Sequence, residues 1–95
     1  TQAASVLETL YTIKPQLASQ YHIRRFGLFG SVIRGEQTPD SDIDILVEFD
    51  TTPASWISGA EEKLEEALQA PVDLVDIEGL KPLLRPKILS EVQYI

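Results

Sequence analysis

The chain has 95 residues, of which 43% are hydrophobic and none is cysteine, so we expect a single small domain over residues 1–95 without disulfides, a thiol nucleophile or a cysteine zinc site. Its 15 acidic and 8 basic residues give a net charge of −7, which disfavours direct binding to the nucleic-acid backbone. Because no apolar run of spanning length and no secretion leader are found, we expect a cytoplasmic protein that does not enter a membrane.

The first third of the chain predicts a helix followed by a strand. Apolar residues recur at helical spacing from about residue 2 to residue 20, and Pro15 is expected to bend or divide this helix. Residues 23–29 predict a buried strand. His22, the only histidine, has no second histidine nearby and carries little weight as a metal ligand.

A glycine turn follows this strand at Gly30-Ser31 and leads into a short helix over residues 31–34. The free N–H groups of such a turn favour an anion, so Gly30 and Ser31 are candidate nucleotide-binding residues that would hold a phosphate. Arg34 has two interpretations. It neutralises charge on a bound triphosphate, or it fixes the next loop by pairing with Glu36 or an aspartate.

The second strand, residues 42–49, carries two acids on one face. Because successive side chains of a strand alternate, Asp42 and Asp44 point the same way. Neighbouring carboxylates repel each other, and a divalent cation with oxygen ligands relieves that repulsion. A solvated acidic face explains two acids equally well, but the nearby Gly30-Ser31 turn favours a site for a nucleotide and its metal.

Three other nucleotide or metal motifs do not fit. A P-loop requires Lys and Ser or Thr after its last glycine, whereas Gly35 is followed by Glu36-Gln37. The GxGxxG dinucleotide motif is absent. An EF-hand requires its acids on a loop between helices, whereas these acids run into an apolar strand.

The rest of the chain predicts a polar loop over residues 35–41, a helix over 54–69, a strand over 72–77 and a last helix over 83–92. In that last helix Leu84, Ile88 and Val92 are expected to form a buried stripe. Together the elements predict an α/β (α+β) fold with a small, mixed, three-stranded sheet and flanking helices.

The segments Gly30-Ser31, Arg34-Gly35-Glu36 and Asp40-Ser41-Asp42-Ile43-Asp44 resemble the signature of the DNA polymerase beta-like nucleotidyltransferases. Within that superfamily the chain is similar over nearly its whole length to the minimal nucleotidyltransferases, the MNT proteins that are often antitoxin partners of HEPN-domain proteins. The resemblance implies a third acid in the predicted strand over residues 72–77, where the pattern Val72-Asp73-Leu74-Val75 identifies it as Asp73. Asp42, Asp44 and Asp73 would then be both the catalytic residues and the metal ligands, and Asp76 is less suitable because it faces the other way.

The implied reaction is transfer of AMP from ATP to a hydroxyl group, with two Mg²⁺ ions and release of pyrophosphate. The acceptor implied by kinship is a tyrosine of a HEPN-type toxin partner. The alternative is an antitoxin of little or no catalytic activity, which binds nucleotide and inhibits its partner by contact. The presence of all three acids favours turnover.

Overall fold

The computed structural model describes residues 3–36, 42–50 and 56–95, together with the fold they form. The loop at 37–41, which includes Asp40 and Ser41, lies outside the described residues, as does the expected helix start at 54. The elements in chain order are α1 (Ala3–Tyr21), β1 (Ile23–Phe29), α2 (Ser31–Arg34), β2 (Ile43–Phe49), α3 (Trp56–Leu68), β3 (Val72–Asp76), a 3-10 turn (Ile77–Gly79), α4 (Arg85–Glu91) and β4 (Gln93–Tyr94).

The four strands form one mixed sheet in the order β3-β2-β1-β4. Strand β1 pairs antiparallel with β2 and with β4, and β2 pairs parallel with β3. The predicted α/β class with a mixed sheet is therefore confirmed, but the expected count of three strands is wrong. The fourth strand has two residues, which is too short for any alternation of side chains to be recognised in a sequence.

Strand β4 is held by contacts with residues distant in the chain. Gly27 pairs with Tyr94 and Leu28 with Gln93, and the guanidinium of Arg25 lies 4.5 Å from the centre of the Tyr94 ring. A cation over an aromatic ring adds a modest attraction at an exposed site. The chain after α4 is thus fastened to the edge of the sheet.

The two faces of the sheet differ in how well they are covered. Helices α1 and α3 pack on one face and bury the main core, whose largest fully buried side chains include Phe26, Leu10, Ile43 and Leu64. The opposite face carries a smaller cluster around Phe29, Leu46 and Ile77, partly covered by the segment that contains α4. Asp44 of β2 and Asp73 of β3 lie on this second, more open face.

Helix α1 is assigned as a single helix through Pro15, so it is not divided there. Leu10 and Leu17 are buried on either side of the proline, whereas Pro15 is exposed. Packing of both halves against the sheet therefore outweighs the loss of one backbone hydrogen bond.

The last helix is shorter and less buried than expected. It begins at Arg85, with Pro86 in its first turn, and contains no buried residue. The expected stripe is wrong because Leu84 is 50% exposed, while Ile88 and Val92 are only half-buried. Residues of α4 line a cavity on the open face, and only Ile88 and the following Val92 pack against the small apolar cluster. No helix in the described part of the chain is both long and apolar enough to cross a membrane.

Replacing Gly27 with Ala tests the contact between β1 and β4. A Cβ at this position would lie 2.7 Å from the Gln93 carbonyl oxygen and 2.7 Å from Val92 Cγ2, so the edge of the sheet must shift. We expect Gly27→Ala to lower the free energy of unfolding by about 1–3 kcal/mol in urea denaturation. Gly79→Ala is the matched control, because nothing lies within 4 Å of its added carbon. Equal stability of the two variants would contradict the proposed crowding at β4.

Candidate active site

The parallel pairing of β2 and β3 brings two of the predicted acids together. Asp44 and Asp73 are direct register partners, and Ile43 and Ile45 on either side of Asp44 point into the main core. Alternation along each strand therefore forces both carboxylates onto the open face. Asp42 immediately precedes β2 and is exposed.

The carboxyl of Asp44 is the electrostatic centre of this arrangement. Burial raises its pKa above the usual 3.8, and the negative charge of Asp73 raises it further. A hydrogen bond from the backbone of Ser31 acts in the opposite direction, and the more distant charges of Asp42 and Arg34 have smaller, opposing effects. The ionised carboxylate is thus incompletely compensated by the protein alone.

The donor chemistry of this face suits a hard cation. Carboxylate oxygens are the usual protein ligands of Mg²⁺, and a cation beside Asp44 and Asp73 would offset their repulsion. Among residues 3–36, 42–50 and 56–95, however, no three or more His, Cys, Asp or Glu side chains are arranged as a preformed metal cluster. The structure pairs Asp44 with Asp73, and the three-acid metal site with Asp42 stays a prediction.

The other acid of β3 has a separate structural use. The side chain of Asp76 accepts a hydrogen bond of 2.9 Å from the backbone N–H of Glu78, which caps the 3-10 turn. Asp76 is therefore engaged locally, whereas Asp73 is exposed opposite Asp44.

Gly30 is required by the seating of Asp44. Its backbone has φ 76° and ψ −150°, a conformation essentially restricted to glycine. A Cβ built on Gly30 would lie against the Asp44 carboxylate, only 2.8 Å from Asp44 Cγ. The sequence predicted that this glycine admits a phosphate, and the structure adds that it also admits a neighbouring acid.

The hydrogen-bond donors of the predicted phosphate turn are used within the chain. The Gly30 N–H donates to Glu91 Oε1 at 3.0 Å, and the Ser31 backbone bonds to Asp44. Arg34 Nε donates to Glu36 at 3.0 Å, and its Nη1 donates to both oxygens of Glu91 at 2.9 and 3.1 Å. Of the two interpretations of Arg34, pairing with Glu36 is therefore observed.

Glu91 was not singled out from the sequence. It lies 61 residues after Gly30 and belongs to α4, so no local motif links it to the turn. Its neighbours in the sequence, Ser90 and Val92, carry no distinguishing chemistry. Only the docking of α4 over the open face brings its carboxylate to the site.

A cavity of about 480 Å³ opens over these residues. Gly30, Arg34, Asp44 and Asp73 line it, whereas Asp42 and Ser31 are not part of its lining. Its volume is in the range of small-molecule sites in proteins.

The far wall of the cavity was missed by sequence reasoning. Leu80 and Leu84 supply an apolar surface, and Lys81 and Lys87 supply positive charge. In an acidic chain these lysines offer local attraction for an anion. Their spacing matches no phosphate-binding motif, so the sequence held no signal for them.

A mixed sheet that brings paired acids and a glycine turn to one cavity of this size offers the ligands and the room that a small anionic molecule and a hard cation require. The sequence profile of the family described as Nucleotidyltransferase domain matches residues 10–95. The chain belongs to this family, and it is a nucleotidyltransferase of the minimal, MNT type.

Relatives and solved structures agree with this assignment. Protein adenylyltransferase MntA of Thermococcus cleftensis is 40% identical over 92 residues, covering 94% of this chain and 92% of the relative. A structure described as a minimal nucleotidyltransferase has a TM-score of 0.83 at 31% identity, covering 98% of this chain and 95% of that one.

Two further structures are toxin-antitoxin proteins. One, solved with AMP-PNP, has a TM-score of 0.71 at 29% identity and covers 87% of this chain and 69% of that chain. The other is a tri-AMPylated HEPN toxin of Shewanella oneidensis in complex with its MNT antitoxin, with a TM-score of 0.66 at 25% identity over 94% of this chain and 70% of that chain.

The raised pKa of Asp44 predicts a pH-dependent gain in stability for Asp44→Asn. Below the usual pKa of 3.8 the group is protonated in both states and contributes no penalty. The folded state holds this proton to a higher pH than the unfolded state does, because its pKa is raised. As pH rises from 3.8 through the folded-state pKa, the folded state therefore loses stability relative to the unfolded state. We therefore expect Asp44→Asn to raise the Tm at pH 7 without divalent cations, and to lose this advantage near pH 3.

Thermal melts across this pH range check the prediction, with Glu62→Gln as control because it removes one exposed charge of α3. A similar Tm gain in Glu62→Gln at pH 7 would attribute the effect to net charge instead of to the Asp44 site.

Added Mg²⁺ should raise the Tm of the parent protein more than that of Asp44→Asn, because ligands stabilise the state that binds them.

Gly30→Ala and Gly35→Ala separate backbone strain from the collision with Asp44. Both glycines have a positive φ, 76° and 72°, but nothing lies within 4 Å of a Cβ added to Gly35. We expect Gly35→Ala to cost about 1–2 kcal/mol and Gly30→Ala to cost more. Only Gly30→Ala should also abolish Mg²⁺-dependent stabilisation. Equal losses in urea denaturation would mean that Asp44 readily moves aside.

Proposed function

We propose that this chain is a Mg²⁺-dependent protein adenylyltransferase, which transfers AMP from ATP to a hydroxyl group of a partner protein. The observation that carries the proposal is the pair Asp44 and Asp73, held in register at a cavity that Gly30 and Arg34 also line. The Thermococcus relative named protein adenylyltransferase MntA supports the same reaction. With ATP as donor, the reaction belongs in the cytoplasm.

The acids would hold the metal. Asp44 and Asp73 would bind Mg²⁺ from adjacent strands, and Asp42 would join them from the residue before β2 to complete a site for two ions. Bound Mg²⁺ would neutralise charge on the triphosphate and favour the deprotonated form of the attacking hydroxyl. The raised pKa of Asp44 supports this role, because the ionised carboxylate lacks charge compensation within the chain and a bound cation would supply it.

The remaining site residues would bind and orient the nucleotide. Gly30 would present its backbone N–H, and Ser31 its hydroxyl, to the terminal phosphates. The acceptor oxygen would form a bond to the α-phosphorus while the bond from that phosphorus to the oxygen bridging the β-phosphate breaks. Pyrophosphate leaves with the bonding electrons, and Asp73 would take up the proton of the hydroxyl.

The partner would be a HEPN-type protein, and its acceptor a tyrosine. A tri-AMPylated HEPN toxin bound to an MNT antitoxin supports both the class of partner and the transferred group. The side of the cavity lined by Leu84 carries exposed apolar surface, because Leu84 is 50% exposed and its neighbour Leu83 is 94% exposed. An acceptor protein covering that side would bring its hydroxyl to the acids and exclude water. Residues 1–95 would act as one domain in this complex.

Intact-protein mass spectrometry tests the transfer. The chain is mixed with a HEPN-type protein as candidate partner, ATP and Mg²⁺, and the partner is weighed. We expect mass increases of one or more AMP units, abolished by Asp42→Asn combined with Asp44→Asn and strongly reduced by Asp73→Asn.

Asp76→Asn is the matched control, because Asp76 lies on the same strand as Asp73 but caps the 3-10 turn. It should retain transfer. A stable complex whose partner never gains AMP with any nucleotide would contradict the proposal and favour an antitoxin that inhibits by contact.

A further inference from the structure

The Glu91 carboxylate occupies the position that the proposed site needs for an anion. Its Oε1 accepts from the Gly30 N–H at 3.0 Å and from Arg34 Nη1 at 2.9 Å. Its Oε2 accepts from the same Arg34 nitrogen at 3.1 Å, and its side chain is only 19% exposed. A backbone N–H beside a guanidinium is a typical set of donors for a phosphate oxygen.

The charges around Arg34 make this arrangement unfavourable for a bound phosphate. Hydrogen bonds to Glu36 and then to Glu91 raise the pKa of the Arg34 guanidinium, so one positive charge serves two carboxylates. Asp44 and Asp73 add further negative charge in the same cavity. A triphosphate that entered while Glu91 kept its contacts would meet repulsion and occupied donors.

We propose that Glu91 determines nucleotide affinity by competing with a phosphate group for the Gly30 N–H and Arg34. The inference rests on the proposed function and deepens it, because it assigns to these two donors a phosphate ligand that must displace a carboxylate of the chain itself. Glu91 is therefore a positioning residue: it keeps the turn and Arg34 in order until the phosphate replaces it.

The fold allows the side chain to leave without unfolding the helix. Glu91 is the last residue of α4, and β4 begins two residues later with its backbone paired to β1. The backbone around Glu91 is thus anchored by the sheet, and rotation about side-chain bonds is enough to release the donors. A purely structural contact would remain in the bound state, and its loss would weaken nucleotide binding.

Isothermal titration of Glu91→Gln with Mg²⁺ and AMP-PNP distinguishes these roles. Glutamine keeps the shape and an oxygen for the Gly30 N–H, but it removes the charge that holds Arg34. We expect about five- to tenfold tighter binding, the change that one unit charge a few ångström from a phosphate produces at high dielectric. Tripolyphosphate should show the same gain, because the competition concerns phosphate and not the base.

Glu36→Gln is the matched control. Glu36 pairs with the same guanidinium but is 60% exposed and does not contact Gly30. The affinity of the Glu36→Gln variant for AMP-PNP with Mg²⁺ should differ from that of the parent protein by less than twofold. Circular dichroism and urea denaturation establish that both variants are folded.

The amide resonance of Gly30 supplies a second measurement that needs no variant. In the parent protein, AMP-PNP with Mg²⁺ should shift this amide and the Nη resonances of Arg34, the two groups that donate to Glu91, as Glu91 is replaced. If Glu91→Gln fails to fold, this titration decides the matter, and unchanged resonances at saturation overturn the proposal.

Equal or weaker binding by a folded Glu91→Gln overturns the inference, as does the absence of phosphate binding to both proteins. The inference and the proposed function can fail separately. Tighter binding without AMP transfer to any partner supports competition by Glu91 and contradicts the adenylyltransferase proposal. AMP transfer without a gain in affinity in Glu91→Gln supports the adenylyltransferase proposal and contradicts competition by Glu91.

Discussion

The site depends on the repulsion between two carboxylates that the sheet holds together. Asp44 and Asp73 are register partners of adjacent strands, and they cannot separate without breaking the ladder between β2 and β3. The ladder is itself fixed by the apolar side chains on the reverse face, since Ile43 and Ile45 are fully buried beside Asp44. The energy of the hydrophobic core thus maintains a charge arrangement that would otherwise relax.

The turn at Gly30-Ser31 connects this acid pair with the rest of the open face. Asp44 lies against the α-carbon of Gly30 and accepts from the Ser31 backbone, while Glu91 accepts from the Gly30 N–H. Acids from two separate parts of the chain therefore converge on one turn. The turn is followed by a helix of only four residues, and these contacts with Asp44 and Glu91 connect it to the acids of the site.

The unequal covering of the sheet divides stability from chemistry. The face under α1 and α3 contains most of the buried apolar surface, including Val6, Leu10 and Leu64. The other face has only a small apolar cluster and the marginally buried α4, which leaves room for the cavity. Most of the stability of these 95 residues therefore comes from the core on one face of the sheet, and the other face is open enough to bind a ligand.

The amino-acid sequence determined the features that depend on near neighbours. Alternation within one strand predicted that Asp42 and Asp44 share a face, and the glycine at position 30 predicted the sharp turn. Those local patterns, with their family resemblance, were enough to predict the fold class and the candidate acids. The prediction of Asp73 came from resemblance, and only strand pairing set it opposite Asp44.

Tertiary structure alone decided what depends on residues far apart in the chain. The two-residue strand β4 exists because Gly27 leaves room for it, and α1 continues through Pro15 because the sheet holds both halves. The contact of Glu91 with Gly30 spans 61 residues and results from the docking of α4. No periodicity or motif encodes such contacts, because they arise from the packing of whole elements and not from the spacing of side chains along one of them.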